Sequence, residues 1–136
     1  MVKTFHLDIV TPTSALDLGE VTYLRAPGLD GLFGVMARHT NSVFAIDIGG
    51  VKVIKDGEEL FFATTRGYAE VTGNQVQLLV ETIERFDEID VARAVAAKKR
   101  AKERLLSKDV KIDRARAEVA LSRAINRLQI SSRISR

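Results

Sequence analysis

The chain has 136 residues, of which 46% are hydrophobic and 29% charged, with a net charge of +3 and no cysteine. The lack of cysteine excludes disulfides, thiolate metal sites and cysteine nucleophiles. No apolar run approaches the ~18 residues that a membrane-spanning helix needs, and the alternating first residues, which include Asp8, do not fit a signal peptide.

The net charge hides an uneven distribution along the chain. Residues 1–89 carry 7 Lys+Arg and 13 Asp+Glu, a net charge of −6, whereas residues 90–136 carry 14 and 5, a net charge of +9. All nine glycines, both prolines and all eight aromatic residues precede residue 90. Two such different compositions predict two structural units.

The first unit has the patterns of β-strands. Phe5, Leu7 and Ile9 alternate with polar residues, which predicts a half-buried strand ending at Thr11-Pro12. The further predicted strands are Glu20–Ala26 (ending at Pro27-Gly28), Asn41–Ile48, Val51–Lys55, Glu58–Thr64, Tyr68–Val71 and Val76–Ile83. Asp56-Gly57 is a strong hairpin signal, and Gly73-Asn74 indicates a second hairpin. Short strands with turn residues between them favour an antiparallel β-sandwich or a barrel.

The second unit has the patterns of two helices. Asp90 is a candidate N-cap for the first, and Asp113 or the residues just before it begin the second. The predicted apolar faces are Ala94, Ala97, Ala101 and Leu105, and then Ala117, Ala120 or Leu121, Ala124 and Leu128. The short break at 107–109 predicts an antiparallel helical hairpin. Because alanine buries little area, we hypothesise that this hairpin is held weakly and can open or detach.

Catalytic signals are missing from the sequence. Gly28, Gly31 and Gly34 do not form the dinucleotide-binding fingerprint, and no phosphate loop or nucleophile motif is present. The two histidines, His6 and His39, have no partner at metal-ligand spacing. We therefore expect neither a catalytic residue nor a metal site.

The arginines of the second unit offer a different chemistry. Arg93 and Arg100 are two helical turns apart, and Arg116, Arg123 and Arg127 share a face of the second helix. Guanidinium groups brought together in this way suit phosphate or carboxylate recognition. The alternative is a solvated basic face.

Nucleic-acid binding through residues 90–136 is the alternative function that the +9 charge raises. These residues contain no aromatic side chain that could stack on bases. Their alanine faces are also explained more simply by helix packing.

Several motifs occur together in one order. Gly31–Thr40 is similar to a G-x-x-G-I-L-P-x-H segment without its proline, and Thr65–Val71 is similar to a Gly-Gly-Phe-x-x-Val strand with Arg66 at the first glycine. Ile89–Ala94 fits I/L-D-x-x-R-A, and the similarity continues through 96–101 and 120–128. By these motifs the chain resembles, over its whole length, the epsilon subunit of the rotary F-type ATP synthase.

The resemblance implies a fold and a role. It implies a β-sandwich domain over 1–86 that binds the gamma subunit and the c-ring, and a regulatory helical hairpin over 87–136. The subunit would be a non-catalytic part of the central stalk that couples proton-driven rotation to ATP synthesis. Its hairpin, extended into the alpha and beta subunits, would inhibit ATP hydrolysis. Such a protein lies peripherally on the cytoplasmic face of the bacterial cell membrane, with no transmembrane segment and no nucleic-acid partner.

The resemblance also implies binding residues. No cofactor is required, but some members bind a regulatory ATP, and that site maps onto Glu84, Ile89, Asp90, Arg93, Ala94, Arg100, Arg123 and Arg127. The implied partner contacts are Gly31, Gly34, Arg38 and His39. Asp90 has an alternative role as an N-cap that also pairs with Arg93. Arg123 and Arg127 have an alternative role as contacts to the beta subunit, and Ile112–Ala117, which repeats the motif, is interpreted as a second capped helix start.

Overall fold

A computed structural model describes residues 3–133, and within this range the chain forms ten strands followed by two helices. The strands are β1 (Phe5–Val10), β2 (Ala15–Val21), β3 (Tyr23–Gly28), β4 (Gly31–Val35), β5 (Ser42–Ile46), β6 (Gly49–Lys55), β7 (Glu58–Thr64), β8 (Gly67–Thr72), β9 (Gln75–Val80) and β10 (Ile83–Arg85). A 3₁₀ turn, Phe86–Glu88, leads into α1 (Val91–Leu106) and α2 (Arg114–Ser131).

The strands form a sandwich of two layers. One layer has the order β10-β7-β6-β3, with β4 added beside β3, and the other has the order β5-β8-β9-β1-β2. A single residue pair, Gly28 with Ile46, joins β3 to β5 and so links the layers. The predicted antiparallel β-sandwich is confirmed. One neighbouring pair, β1 with β9, is parallel.

The main core lies between the two layers. Phe5, Leu7 and Ile9 are at most 1% exposed, and they alternate with partly buried residues of β1 as the sequence predicts. They pack in one cluster with buried residues of both layers, including Leu24 and Leu78. The β-sandwich therefore has a core without any contribution from the helices.

The predicted Asp56-Gly57 hairpin is confirmed in its geometry. Both residues have positive φ, 51° and 78°, as a type I′ turn requires. The turn joins β6 to β7, whose register begins with Lys55 opposite Glu58.

Two predicted strand boundaries are wrong. The run Glu20–Ala26 is divided between β2 and β3, and β3 continues through Pro27 and Gly28 instead of ending there. Pro27 has no N–H, but its carbonyl accepts a hydrogen bond from the Asp47 N–H at 2.9 Å, so the strand keeps a partner. The run Val76–Ile83 is likewise divided, because β9 ends at Val80 and Ile83 begins β10 beside β7.

Gly67 occupies a position at which no side chain fits. A Cβ atom there would collide with the carbonyl oxygen of Leu79 and lie 2.7 Å from the Cα of Val80. The neighbouring residue of the same motif, Arg66, is exposed and forms an ion pair with Asp47. The close approach of β8 and β9 explains why the second residue of this motif must be glycine while the first can be arginine.

The helices begin as the sequence predicts. The carboxylates of Asp90 and Asp113 each accept a hydrogen bond at 3.0 Å from the backbone N–H three residues later. The buried alanines of the two helices, all on the predicted apolar faces, are Ala94, Ala101, Ala117 and Ala124.

The two helices are antiparallel, as predicted. At one end, Arg114 donates hydrogen bonds of 2.7 Å to the carbonyl oxygens of Leu105 and Ser107, which closes the turn. At the other end, Ile89 and Ile130 lie in one cluster. Of the helices between residues 3 and 133, neither has the length and apolar character needed to cross a bilayer.

Candidate functional site

The hairpin is attached to the sandwich through a small apolar cluster. Phe61 and Ala63 of β7 pack there against Ile89 and Ile130, with Phe86 partly buried beside them. This cluster is separate from the main core. Because it contains few apolar residues, the hairpin is held by far less apolar burial than the sandwich itself.

Close backbone approach supports this attachment. A Cβ atom at Gly50 of β6 would lie 2.6 Å from Cδ1 of Ile130, so glycine makes room for that side chain. The Asn126 side-chain amide donates a 2.8 Å hydrogen bond to the Gly49 carbonyl oxygen. The Arg133 guanidinium lies 5.5 Å from the ring centroid of Phe61, within the range of a cation–π contact.

Two ion pairs also connect α2 with the sandwich. Nη2 of Arg127 donates to Oε2 of Glu84 at 2.7 Å, and its Nε lies 2.7 Å from Oε1 of the same carboxylate. Nη2 of Arg123 donates to Oε2 of Glu81 at 2.9 Å. Both side chains of the first pair are 27% exposed, against 43% and 62% in the second, so solvent screens the second pair more strongly.

A small cavity of about 190 Å³ lies beside these ion pairs. It lies between α2 and the strands β7 and β10. Its polar lining residues are Thr64, Thr65, Thr82, Glu84, Arg123, Asn126 and Arg127. Three hydroxyls, one amide, one carboxylate and two guanidiniums line it, so it offers hydrogen-bond donors together with two positive charges, one of which Glu84 balances. This combination suits a phosphate or another anion if the arginines exchange their carboxylate partners.

The structure brings some of the predicted ATP-site residues together. Glu84 and Arg127 are in direct contact, and Ile89 is buried at 7% in the cluster that includes Ile130 near the end of α2. Arg123 lines the same cavity as Glu84 and Arg127. These four predicted residues therefore lie at the boundary between sandwich and hairpin.

The predicted residues on α1 are arranged differently. Asp90 caps the helix by accepting from the Arg93 backbone N–H, and Ala94 is fully buried. Arg93 and Arg100 are exposed, and neither lines the cavity that Arg123 and Arg127 border. In this conformation the cavity is bordered by arginines of α2 and not by those of α1.

Two contacts of this interface were missed by sequence reasoning. Glu81 lies at the end of 74–81, which is similar to the strand that follows in the family, and Asn126 lies in 120–128, but neither similarity assigns a contact to them. Glu81 is 42 residues from its partner Arg123, and Asn126 is 77 residues from Gly49. A local sequence pattern cannot predict contacts between residues that are so far apart in the chain.

The predicted partner-binding residues lie at β4 and the loop after it. Gly31 and Gly34 are in β4, whereas Arg38, with φ of 66°, and His39 are in the loop. His39 packs edge-on against Phe44 with 5.8 Å between ring centroids. Large hydrophobic side chains are exposed in and around this segment: Leu29 at 65%, Leu32 at 66%, Met36 at 64% and Val43 at 69%.

A further apolar surface continues across the outer side of β5, β8 and β9. Tyr68 pairs directly with Ala45 on one side and with Leu79 on the other. With Leu29 and Val10 these residues line an open depression of about 650 Å³. Exposed apolar side chains that cluster on one face in this way suit contact with another protein.

Comparison with known proteins gives consistent matches. Residues 4–86 match the family model for the β-sandwich domain of the ATP synthase delta/epsilon chain, and residues 87–132 match that for its long α-helix domain. The chain is 43% identical to the ATP synthase epsilon chain of Desulforamulus reducens, covering 95% of this chain and 98% of that one. It is 40% identical to the ATP synthase epsilon chain of Nitratidesulfovibrio vulgaris, with 96% and 97% covered.

A solved structure supports the fold. A chain in the cryo-EM structure of the Euglena gracilis mitochondrial ATP synthase, OSCP/F1/c-ring, superposes with a TM-score of 0.77. The alignment covers 88% of this chain and 76% of that chain at 22% identity.

Proposed function

Because the chain belongs to the ATP synthase delta/epsilon chain family, we propose that it works as the non-catalytic epsilon subunit in the central stalk of a rotary ATP synthase. The observation that carries this proposal is the match to named epsilon chains over 95% of the chain. The domains also follow the same order, a sandwich and then two helices.

The sandwich binds the gamma subunit and the c-ring in this proposal and rotates with them, so that proton-driven rotation is coupled to ATP synthesis. The exposed apolar residues around β4 and across β5, β8 and β9 support this role, because such surface is stabilised by a partner. Gly31, Gly34, Arg38 and His39 lie in the first of these surfaces. The subunit would then lie peripherally at the cytoplasmic face of the membrane.

The hairpin acts in this proposal as the regulator of hydrolysis. Folded on the sandwich it permits ATP hydrolysis, and extended into the alpha and beta subunits it blocks it. The small cluster and the partly exposed ion pairs support a two-state element, because few contacts must be exchanged when the hairpin leaves. The basic charge of residues 90–136 provides attraction to acidic partner surfaces.

We further propose that ATP binds the folded hairpin and stabilises the conformation in which it is docked on the sandwich. Arg123 and Arg127 would release Glu81 and Glu84 and bind the phosphates, since a polyphosphate offers each guanidinium a more highly charged partner. Arg93 and Arg100 would close onto the nucleotide from α1. A ligand that binds only the folded form shifts the population toward that form.

The test of ATP binding uses the two helix caps as a matched pair. Asp90 and Asp113 cap their helices with the same 3.0 Å geometry, so alanine at either position costs about 0.5–2 kcal/mol of helix stability. Asp90, unlike Asp113, belongs to the implied ATP site and fixes the helix start that carries Arg93. In calorimetric titration with ATP, Asp90→Ala should therefore weaken binding at least tenfold, whereas Asp113→Ala should bind like the wild-type chain. Equal effects of the two variants, or no saturable binding at millimolar ATP, would leave Asp90 as a cap alone.

The test of the subunit role is reconstitution. The full chain is added to the alpha, beta and gamma subunits of the same enzyme, and ATP hydrolysis is measured. The wild-type chain should bind and reduce hydrolysis, and Ile130→Ala, which weakens the attachment of the folded hairpin, should reduce it further. A chain that fails to join the complex would contradict the proposed function, and one that joins without changing hydrolysis would contradict only its regulatory part.

A further inference from the structure

A cluster of one imidazole and three carboxylates lies on the outer face of β1 and β2, away from the hairpin. Strand alternation places His6 and Asp8 on the same face of β1. On β2, Glu20 pairs directly with His6 and Asp17 pairs directly with Asp8. Four side chains able to bind a metal ion therefore point to one side of a two-stranded ribbon.

The distances between these groups are short. Nε2 of His6 lies 2.8 Å from Oδ1 of Asp17 and 3.4 Å from Oδ1 of Asp8. One nitrogen or oxygen atom from each of these residues lies within 4.8 Å of the others. On the far side of the ring, Nδ1 of His6 is 3.8 Å from Oε1 of Glu20.

A β-bulge directs Asp17 into this cluster. The register of β1 and β2 shifts between Leu7, which pairs with Gly19, and Asp8, which pairs with Asp17. Gly19 has a φ of 69° at this shift. The Asp17 carboxylate accepts a 2.8 Å hydrogen bond from the Gly19 N–H. Bulges commonly redirect a side chain at a functional position, and here the redirected carboxylate completes the three-residue group.

The charge of the cluster is unbalanced. Across residues 3–133, the ion pairs of Asp8, Asp17 and Glu20 are all with His6. When the imidazole is neutral, which is the form that binds metals, the carboxylates of Asp8 and Asp17 lie together on its Nε2 side, and neither has a lysine or arginine partner among the described residues. A divalent cation bound by both carboxylates would remove their repulsion and use Nε2 of His6 as a third donor.

We propose that His6, Asp8 and Asp17 bind a divalent transition-metal ion, with Zn²⁺ as the best-fitting case. Zn²⁺ accepts imidazole nitrogen at about 2.0–2.1 Å and carboxylate oxygen at about 2.0–2.2 Å, and it prefers such mixed donors to a purely carboxylate set. Asp17 is 66% exposed, which leaves an entry path and room for water as a fourth ligand.

Glu20 lies on the other side of the imidazole from the metal site. Its carboxylate is 3.8 Å from Nδ1 of His6, and a small shift on metal binding would let it accept a hydrogen bond from that nitrogen, the usual arrangement for a metal-binding imidazole that uses Nε2 as its ligand atom. The Thr4 hydroxyl donates a 2.7 Å hydrogen bond to Glu20 and holds that carboxylate in place. The ion would tie the edge strand β2 to β1 and so stabilise the end of the second layer.

The experiment is a calorimetric titration of the purified full chain with Zn²⁺. The sequence has only two histidines and no cysteine, so His39→Ala is a matched control for His6→Ala. One equivalent should bind, His6→Ala and Asp17→Asn should each weaken binding at least tenfold, and His39→Ala should bind as the wild-type chain does. Absence of saturable binding at 1:1 stoichiometry in the wild-type chain, or equal loss in both histidine variants, would overturn the proposal.

A spectroscopic measurement on the unaltered chain avoids any folding defect of a variant. One equivalent of Zn²⁺ should shift or broaden the imidazole proton resonances of His6 and leave those of His39 in place. If both histidines respond alike, or neither does, the proposed site is wrong. Magnesium, which prefers an all-oxygen shell with several waters, should not displace the zinc at equal concentration.

Discussion

Arg127 and Glu84 meet across the hairpin–sandwich boundary through two contacts of 2.7 Å, in an environment where both side chains are 27% exposed. Four residues earlier on the same helix, Arg123 has a single 2.9 Å hydrogen bond to Glu81, and both partners are more exposed. The two ion pairs are therefore unequal, and most of the electrostatic contribution to docking lies with Arg127.

Double-mutant cycles measure this inequality. The cycle of Arg127→Gln and Glu84→Gln should give a coupling energy near 1 kcal/mol, and that of Arg123→Gln and Glu81→Gln a value of about 0.3 kcal/mol or less, as expected for a well-exposed pair. Urea unfolding of each single and double variant provides the free energies. A larger coupling for the Arg123 pair would contradict the ranking.

Removal of one apolar group should release the hairpin without unfolding the sandwich. Ile130 is 6% exposed in the small cluster, and large-to-small changes at buried isoleucine cost about 2–5 kcal/mol. Because the main core lies elsewhere, the loss should fall on docking. In Ile130→Ala, the amides of α1 and α2 should exchange hydrogen at least tenfold faster while those of β1 and β9 keep their protection.

Val95→Ala is the matched control for that experiment. Val95 is an aliphatic residue of α1 that is 53% exposed, so its truncation removes little packing. Because alanine has a higher helix propensity than valine, this variant should exchange no faster than the wild-type chain. Faster exchange in its hairpin as well would mean that truncation of any helical side chain, and not loss of docking at Ile130, lowers the protection.

Replacing Gly67 should destabilise the sandwich itself. In Gly67→Ala the new methyl group meets the Leu79 carbonyl and the Val80 Cα, which are backbone atoms of a paired strand and cannot rotate away. Overpacking of this kind costs about 1–3 kcal/mol. Arg66→Ala, next in the chain, removes an exposed ion pair without adding the backbone entropy of glycine and should cost about 1 kcal/mol or less, so thermal unfolding of the two variants should differ clearly.

One guanidinium joins the end of α1 to the start of α2. Arg114 caps the Leu105 and Ser107 carbonyls with two hydrogen bonds of 2.7 Å, which the single ammonium of lysine cannot reproduce in the same fork. Arg114→Lys should therefore lower hairpin stability by about 1 kcal/mol, the net value of a typical hydrogen bond. Arg100→Lys, at an exposed position of α1, should leave exchange at residues 105–113 unchanged.

The features that the sequence predicted correctly are determined locally. A type I′ turn depends on two residues, here Asp56 and Gly57, and an N-cap depends on a carboxylate and the N–H three residues later, as at Asp90 and Asp113. The alternation in β1 likewise needs only its own six residues. Features of this kind can be predicted from the sequence because the atoms that form them belong to residues close together in the chain.

The features that were missed depend on distant strands. The β4 strand, with two glycines in five residues, has little strand propensity and forms because β3 offers it a pairing edge. Asp17 reaches His6 only through the register shift between β1 and β2. Likewise, the partners of Arg123 and Arg127 are 42 and 43 residues away along the chain, so the arginine faces could be predicted but not what they contact.

The parallel pairing of β1 with β9 has a consequence for the order of folding. As the chain leaves the ribosome, β2 can pair with one edge of β1 at once. The other edge of β1 stays unpaired until β9 has been synthesised. Until then the nascent chain exposes an unpaired strand edge, which can form backbone hydrogen bonds with other chains. The hairpin is synthesised after the sandwich, so it meets a sandwich that is already closed, and its docking is a later, separable step.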